Sequence, residues 1–312
     1  MQPMQKARAL RPGDTVGLAA PSGAVRDEGG VERAIEAVEA LGFRAIADAS
    51  CFRRYGYLSG TDGERAEGLN RMFRDDRVDA VFCLRGGYGA TRMLDRVDFE
   101  LIRSNPKPFL GYSDVTALHA AINGLSGLIT LHGPMPATDF PGFEGFSRAS
   151  VLRALTDPAP LGEVKNPDGM PLSRLVPGRC EGRLAGGNLS LVAALIGTPW
   201  QIDARGKILL LEDVGEFTYR LDGMLTQLRH AGLFRDCAGV VLGGFTDCSD
   251  EYEGFGMVIE ALVRDIVAPS GKPVLAGFSI GHVEQKITVP LGAMCALDAD
   301  NLRLTVLEGA LA

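Results

Sequence analysis

Pro108-Phe109-Leu110-Gly111-Tyr112-Ser113-Asp114-Val115-Thr116 is a short apolar run that turns abruptly polar. Val115, Leu118 and Ile122 then recur at helical spacing. A buried strand therefore runs straight into a helix, with Ser113 at the joint. Outward from this joint the same alternation repeats. Thr15 to Ala19, Phe43 to Ile46, Ala80 to Leu84 and Leu128 to Leu131 read as strands. Between them Val31, Ile35, Val38 and Leu41 mark a helix closed by Gly42, and Arg65 to Phe73 mark another. Strands alternating with helices predict a parallel sheet covered on both faces, an α/β fold.

Residues 136–178 break the pattern. Phe140 to Gly145 has no period, and Asp157-Pro158-Ala159-Pro160 and Asn166-Pro167-Asp168-Gly169 are turn chemistry. A helix is expected near Ser147 to Leu155. These features divide the chain into a first domain at 1–145, a linker at 146–178 and a second domain at 179–312. In the second, Ile208 to Leu211 and Ala238 to Leu242 read as strands. Leu221, Met224, Leu225 and Leu228 mark a helix, and Val258 to Ile266 another. Short strands follow from Val274 onward, so this half is expected to be a smaller β-rich α+β domain, barrel-like in character.

The chain has 312 residues and a net charge of −7, which argues against a nucleic-acid partner, since phosphate binding needs a basic face. No run of about 20 apolar residues offers a membrane span. Met1 to Arg11 lacks the apolar run of a signal peptide, so a cytoplasmic location is expected. The six cysteines include no CxxC pair and read as reduced thiols. With no HExxH and no cysteine-histidine cluster, neither metal nor cofactor is expected.

Ser113, on a tight strand-to-helix turn, is placed as a nucleophile would be, near backbone amides able to hold an oxyanion. A capping serine would occupy the same place. The turn departs from G-x-S-x-G, having Val115 at its fifth position. A base would come from His282, in a loop at a strand end, or from His132, at the end of Leu128 to Leu131. His119 lies on a helix, and His230 at a helix C-terminus suits the dipole. Glu212 is the first polar group after Leu210-Leu211 and could orient a base, with Asp213 and Glu216 nearby. Arg85-Gly86-Gly87-Tyr88-Gly89 forms a glycine-rich turn after a strand. It matches only half a dinucleotide fingerprint, and serves equally as a backbone cradle for a carboxylate or oxyanion.

Together these segments resemble the LD-carboxypeptidase family. The matching pieces run in order: Ala19-Ala20-Pro21-Ser22-Gly23, Arg85 to Gly89, Gly111-Tyr112-Ser113-Asp114, His132-Gly133-Pro134, Gly186-Gly187-Asn188-Leu189, Gly197-Thr198-Pro199-Trp200, Leu211-Glu212-Asp213 and Gly281-His282. The resemblance implies an N-terminal Rossmann-like domain and a smaller C-terminal β-rich domain. It also implies a catalytic triad of Ser113, Glu212 and His282, with oxyanion donors at the amides of Gly87 and Asp114. Arg85, Gly86 and Asn188 are the substrate-binding candidates, the amides around Arg85 to Gly87 being one possible grip on a terminal carboxylate. The implied reaction releases the terminal D-alanine of a murein tetrapeptide in cell-wall recycling, by a homodimer. A microcin C-type immunity peptidase of the same family and an inactive binding protein on the same scaffold are the alternatives.

Overall fold

The computed structural model describes residues 4–140, 145–249 and 257–312. Positions 141–144 of the aperiodic stretch lie outside them. The chain forms two compact units, the first comprising 1–159, 288–292 and 309–312, the second 160–287 and 293–308.

The first unit is built as alternating strands and helices. β1 (Thr15–Ala19), α1 (Gly30–Glu39), β2 (Arg44–Ala47), α2 (Asp62–Arg74), β3 (Ala80–Cys83) and α3 (Phe99–Ser104) come first. β4 (Phe109–Gly111), α4 (Thr116–Ala121), β5 (Thr130–His132) and α5 (Gly145–Thr156) follow. The strand order is β5-β4-β3-β1-β2 with all pairs parallel, and Val289–Leu291 adds an antiparallel edge beside β5. This is a doubly wound sheet whose order reverses between β1 and β3, and ligands of such sheets bind outside the carboxyl ends of the strands at that reversal.

Every residue of β1, β3, β4 and β5 is buried, as parallel strands covered on both faces require. α2 starts on a capping box, with Thr61 and Glu64 each satisfying the other's backbone amide. The helix expected through Ile122 is composite: a 3₁₀ turn at Ser113–Val115, α4, and a π-turn at Ile122–Ser126.

The second unit holds β6 (Gly162–Glu163), β7 (Ser173–Val176), β8 (Arg179–Asn188), α6 (Leu189–Ala194) and β9 (Ile208–Val214). It continues with α7 (Thr218–His230), α8 (Leu233–Asp236), β10 (Gly239–Thr246), α9 (Ile259–Leu262) and β11 (Val274–Ala276). With Val289–Leu291 as β12 of the first unit, β13 (Met294–Asp298) and β14 (Arg303–Val306) complete it. Its sheet runs β6-β14-β13-β8-β9-β10-β11-β7. Among the described residues no ladder joins β6 to β7, so the sheet is not a closed barrel. β8 pairs antiparallel with β13 and parallel with β9, making it the hinge between the two pairing styles. Its glycines, which weaken a strand's sequence signal, hid it from the residue pattern. The helix expected over Val258 to Ile266 is likewise shorter, passing from α9 into a π-turn at Val263–Val267.

Candidate active site

In the first unit β4 ends at Gly111 and the backbone turns at Ser113 with φ of +64°. A non-glycine residue in this left-handed region is strained, and such strain persists where the surrounding structure holds it. A capping serine would not need this conformation. The hold is visible. The Gly111 carbonyl accepts from Gly133 N at 3.1 Å and from His119 Nε2 at 2.8 Å. Because that partner is a carbonyl, His119 carries its proton on Nε2. Nδ1 then accepts from the Thr130 hydroxyl at 2.9 Å. His119 is fully buried, and burial pushes it down to about 3, so it is a neutral structural ring.

Asp114 is buried and its carboxylate accepts from the Ala90 amide at 2.8 Å. Burial raises its carboxyl above the ordinary range, against the pull of that amide and of Arg65. Arg65 was legible only as one end of a helix. In the structure it is fully buried and donates to the carbonyls of Pro21 and Gly89, tying the turn after β1 to the turn after β3. Gly86 in that second turn backs directly onto Ser113: a Cβ there would lie 3.0 Å from Ser113 Cβ. Gly87 follows with φ of +121°. His132, the rival base, is 1% exposed and packs edge-on to Tyr112, 5.9 Å between ring centres. It is a core residue of the first unit.

In the second unit Glu212 sits near the end of β9, in register with Asn188 of β8, and has no exposed surface. Its Oε2 is 2.7 Å from His282 Nδ1 and also accepts from the His282 amide at 3.3 Å. One carboxylate oxygen thus aligns both the ring and the backbone of His282. The loop carrying His282 is anchored along its length. Asn166 donates to the Gly277 carbonyl at 2.7 Å and accepts from the Ser279 amide at 2.9 Å. The Thr246 hydroxyl donates to the His282 carbonyl at 2.5 Å. The residue pattern marked Asn166 only as turn chemistry.

The neighbouring acids are engaged elsewhere: Asp213, next to Glu212 on β9, points to the opposite face by the two-residue period of a strand, and Glu216 lies beyond the strand's end. Asp213 accepts from Asn188 Nδ2 at 2.8 Å, from Ser190 N at 2.9 Å and Oγ at 2.8 Å, and from its neighbour Val214 N at 2.9 Å. Burial raises its carboxyl despite these donors. Glu216 lies 3.8 Å from Arg220. Asn188 is 4% exposed and caps α6 through Leu191 N while donating to Asp213. His230 is exposed at the end of α7. Among the described residues no three His, Cys, Asp or Glu gather as metal ligands, and no helix is long and apolar enough to cross a membrane.

Two family models match in tandem: the LD-carboxypeptidase N-terminal domain over residues 16–133 and the LD-carboxypeptidase C-terminal domain over 181–297. The chain belongs to the LD-carboxypeptidase family. LD-carboxypeptidases of this family are serine peptidases. A probable murein peptide carboxypeptidase of Bacillus subtilis is 40% identical over 313 residues, covering 98% of this chain and 97% of its own. The murein tetrapeptide carboxypeptidase of Pseudomonas aeruginosa is 33% identical over 306 residues, covering 92% and 94%. The microcin C7 self-immunity protein MccF of Escherichia coli is 28% identical over 335 residues, covering 97% and 95%. A solved structure of MccF, an inactive mutant in its apo state, matches with a TM-score of 0.90 at 25% identity, over 98% of this chain and 99% of that one.

Proposed function

We propose that this LD-carboxypeptidase releases the terminal D-alanine of murein tetrapeptides with Ser113 as nucleophile, His282 as base and Glu212 as orienting acid. The observation that carries the reading is the 2.7 Å contact between His282 Nδ1 and the buried Glu212 carboxylate. With Nδ1–H donated to Glu212, Nε2 holds the basic lone pair, the tautomer that a serine nucleophile requires. The left-handed turn at Ser113 supports the nucleophile.

Ser113 Oγ attacks the carbonyl of the L-centre as His282 takes its proton, and Glu212 stabilises the imidazolium. The amides of Gly87 and Asp114 donate to the oxyanion. His282 returns the proton to the amine of departing D-alanine, leaving an ester on Ser113. Water, deprotonated by the same ring, hydrolyses that ester and frees the enzyme. Arg85 and Gly86 face the substrate, whereas Asn188, with both ends of its amide engaged, holds the β8 and β9 ends that present Glu212. Names of relatives support murein as substrate over the microcin alternative, because the relative at 40% identity and the one at 33% both carry it. Six free cysteines fit a reducing cytoplasm. A homodimer is the family's implied assembly, checked by light scattering.

The test incubates the protein with purified tetrapeptide and measures free D-alanine, with pentapeptide and a peptidyl-nucleotide alongside. Tetrapeptide is the expected substrate. A folded Ser113→Ala protein should lose several orders of magnitude in rate and its labelling by a serine-directed phosphonate. Near-normal turnover by that variant refutes the mechanism, and preference for the peptidyl-nucleotide selects the microcin-type reading.

A further inference from the structure

The crevice at the reversal of the first sheet, where the turns after β1 and β3 lie side by side, holds a cavity of about 620 Å³. Arg26, Arg54 and Arg85 line it, with Tyr57, Tyr88 and Gly87. Tyr57 and Tyr88 meet edge to face at 5.7 Å between ring centres. Three arginines thus line one cavity, and the charges of Arg26 and Arg85 oppose each other there. Among the described residues none of the three forms an ion pair, although Arg53, Arg65 and Arg92 do.

Arg85 is the most constrained. Its Nη1 donates to the Ala24 carbonyl at 2.9 Å, while its Nε is buried without a hydrogen-bond partner. The side chain folds back over its own turn: Nε lies 3.7 Å from where a Cβ of Gly23 would stand, and Nη2 4.0 Å from that of Gly87. Burial and the neighbouring charge of Arg26 both disfavour its cation, and no carboxylate offsets them. A partly buried cation without a counter-charge costs free energy unless a ligand supplies one.

We infer that this cavity is an anion subsite in which Arg85, flanked by Arg26 and Arg54, grips the terminal carboxylate of the peptide. The assignment rests on the proposed carboxypeptidase activity for the identity of the anion. It follows from the shared turn. Gly86 abuts Ser113 and its chain neighbours Arg85 and Gly87 line the cavity. In a carboxypeptidase substrate the carboxylate likewise stands a single residue beyond the attacked carbonyl. Consecutive Cα atoms are about 3.8 Å apart, so a guanidinium folded over this turn is matched to that short reach. A guanidinium also binds a carboxylate through two parallel hydrogen bonds, which sets orientation as well as charge. The grip thus comes from a side chain, beyond the backbone amides of the turn.

The test compares a tetrapeptide ending in free D-alanine with the same peptide ending in D-alaninamide, for the wild type, Arg85→Gln and the exposed Arg54→Gln. The wild type should prefer the acid by about 10- to 100-fold in kcat/KM, the range expected for charged hydrogen bonds. Arg85→Gln should bring the two substrates within a few-fold, and Arg54→Gln should narrow the gap less. Labelling of Ser113 by a small phosphonate that carries no carboxylate should slow less in both variants than turnover of the acid does. Retained preference in Arg85→Gln, or slowed labelling with equal loss on acid and amide, overturns the subsite. A binding arm separates this from the choice of reaction: acetyl-D-alanine and its amide are titrated by calorimetry. Discrimination that Arg85→Gln abolishes supports the subsite even if tetrapeptide is not cleaved. Tighter binding of a nucleoside monophosphate than of acetyl-D-alanine overturns the carboxylate assignment.

Discussion

A Cβ added at Gly86 would come to rest 3.0 Å from Ser113 Cβ and 3.1 Å from Oγ. Those contacts are tighter than nine in ten real Cβ contacts, so Gly86→Ala should displace Ser113 by a few tenths of an ångström. A shift of about 1 Å can cost on the order of a hundredfold in rate, so this smaller one should cost less, about several-fold. Stability should fall by about 1–3 kcal/mol, as for overpacking elsewhere. Unchanged turnover with normal thermal unfolding would show that the turn relaxes freely. The acids divide in the same way. Glu212→Gln should damage turnover strongly, because its Oε2 aligns His282, while Glu216→Gln should be mild. Asp213→Asn, which disturbs the contacts to Asn188 and Ser190, should act mainly on stability, by about 1–3 kcal/mol. Assays of kcat beside melting curves distinguish these outcomes. The placement of Glu212 at an apolar strand end was legible. So was the expectation of Glu212 rather than Asp213 or Glu216, from its place first at that strand end and from the resemblance; what the residues alone did not show is that Asp213 is held by Asn188 and Ser190 while Glu212 meets His282.

At the scale of elements, α4 and β5 together hold the turn at Ser113 through a buried relay. Asn123 Nδ2 lies 3.2 Å from Thr130 Oγ1, which donates to His119 Nδ1, and His119 Nε2 donates to Gly111 O. Burial lowers His119 to about 3, well under the ordinary value near 6.5. The sign follows. The unfolded chain binds a proton here below about pH 6.5, and the folded chain does not until about 3. Stability from this residue is therefore present at pH 7 and declines as pH falls from 6.5 toward 3. At pH 5 the loss should be about 2 kcal/mol. Urea unfolding between pH 7 and 5 should show a smaller decline for His119→Gln than for the wild type, and equal declines would refute the assignment. The helix was legible from Val115, Leu118 and Ile122. The meeting of His119 with Gly111 O was not, since it depends on how the helix folds back over β4.

The whole molecule is discontinuous in sequence. Val289–Leu291 pairs with β5 through Val289↔His132 and Leu291↔Thr130, and Leu311 bridges to Ala7, so the chain's end completes the first unit. A fragment of residues 1–159 would leave the β5 edge unpaired, and exposed edges recruit other strands. It should be less stable than the intact chain and should aggregate. Adding a peptide spanning 287–293 in trans should reduce the aggregation. A monomeric fragment that unfolds like the intact protein would contradict this, as light scattering and calorimetry can show.

Periodicity and strand-end chemistry determined the alternating first half, the strand-to-helix turn at Ser113 and the carboxylate after Leu211, because each is written within a few neighbouring residues. The motif order from Ala19 to His282 carried the family. Tertiary structure alone decided the rest. β8 is glycine-rich and is a strand only because β9 and β13 accept it. Arg65 holds two turns from positions 44 and 24 residues away. Val289–Leu291 joins a sheet formed by the first 132 residues. Contacts over such separations have no local period, and their energy exists only once the sheet has brought the partners together.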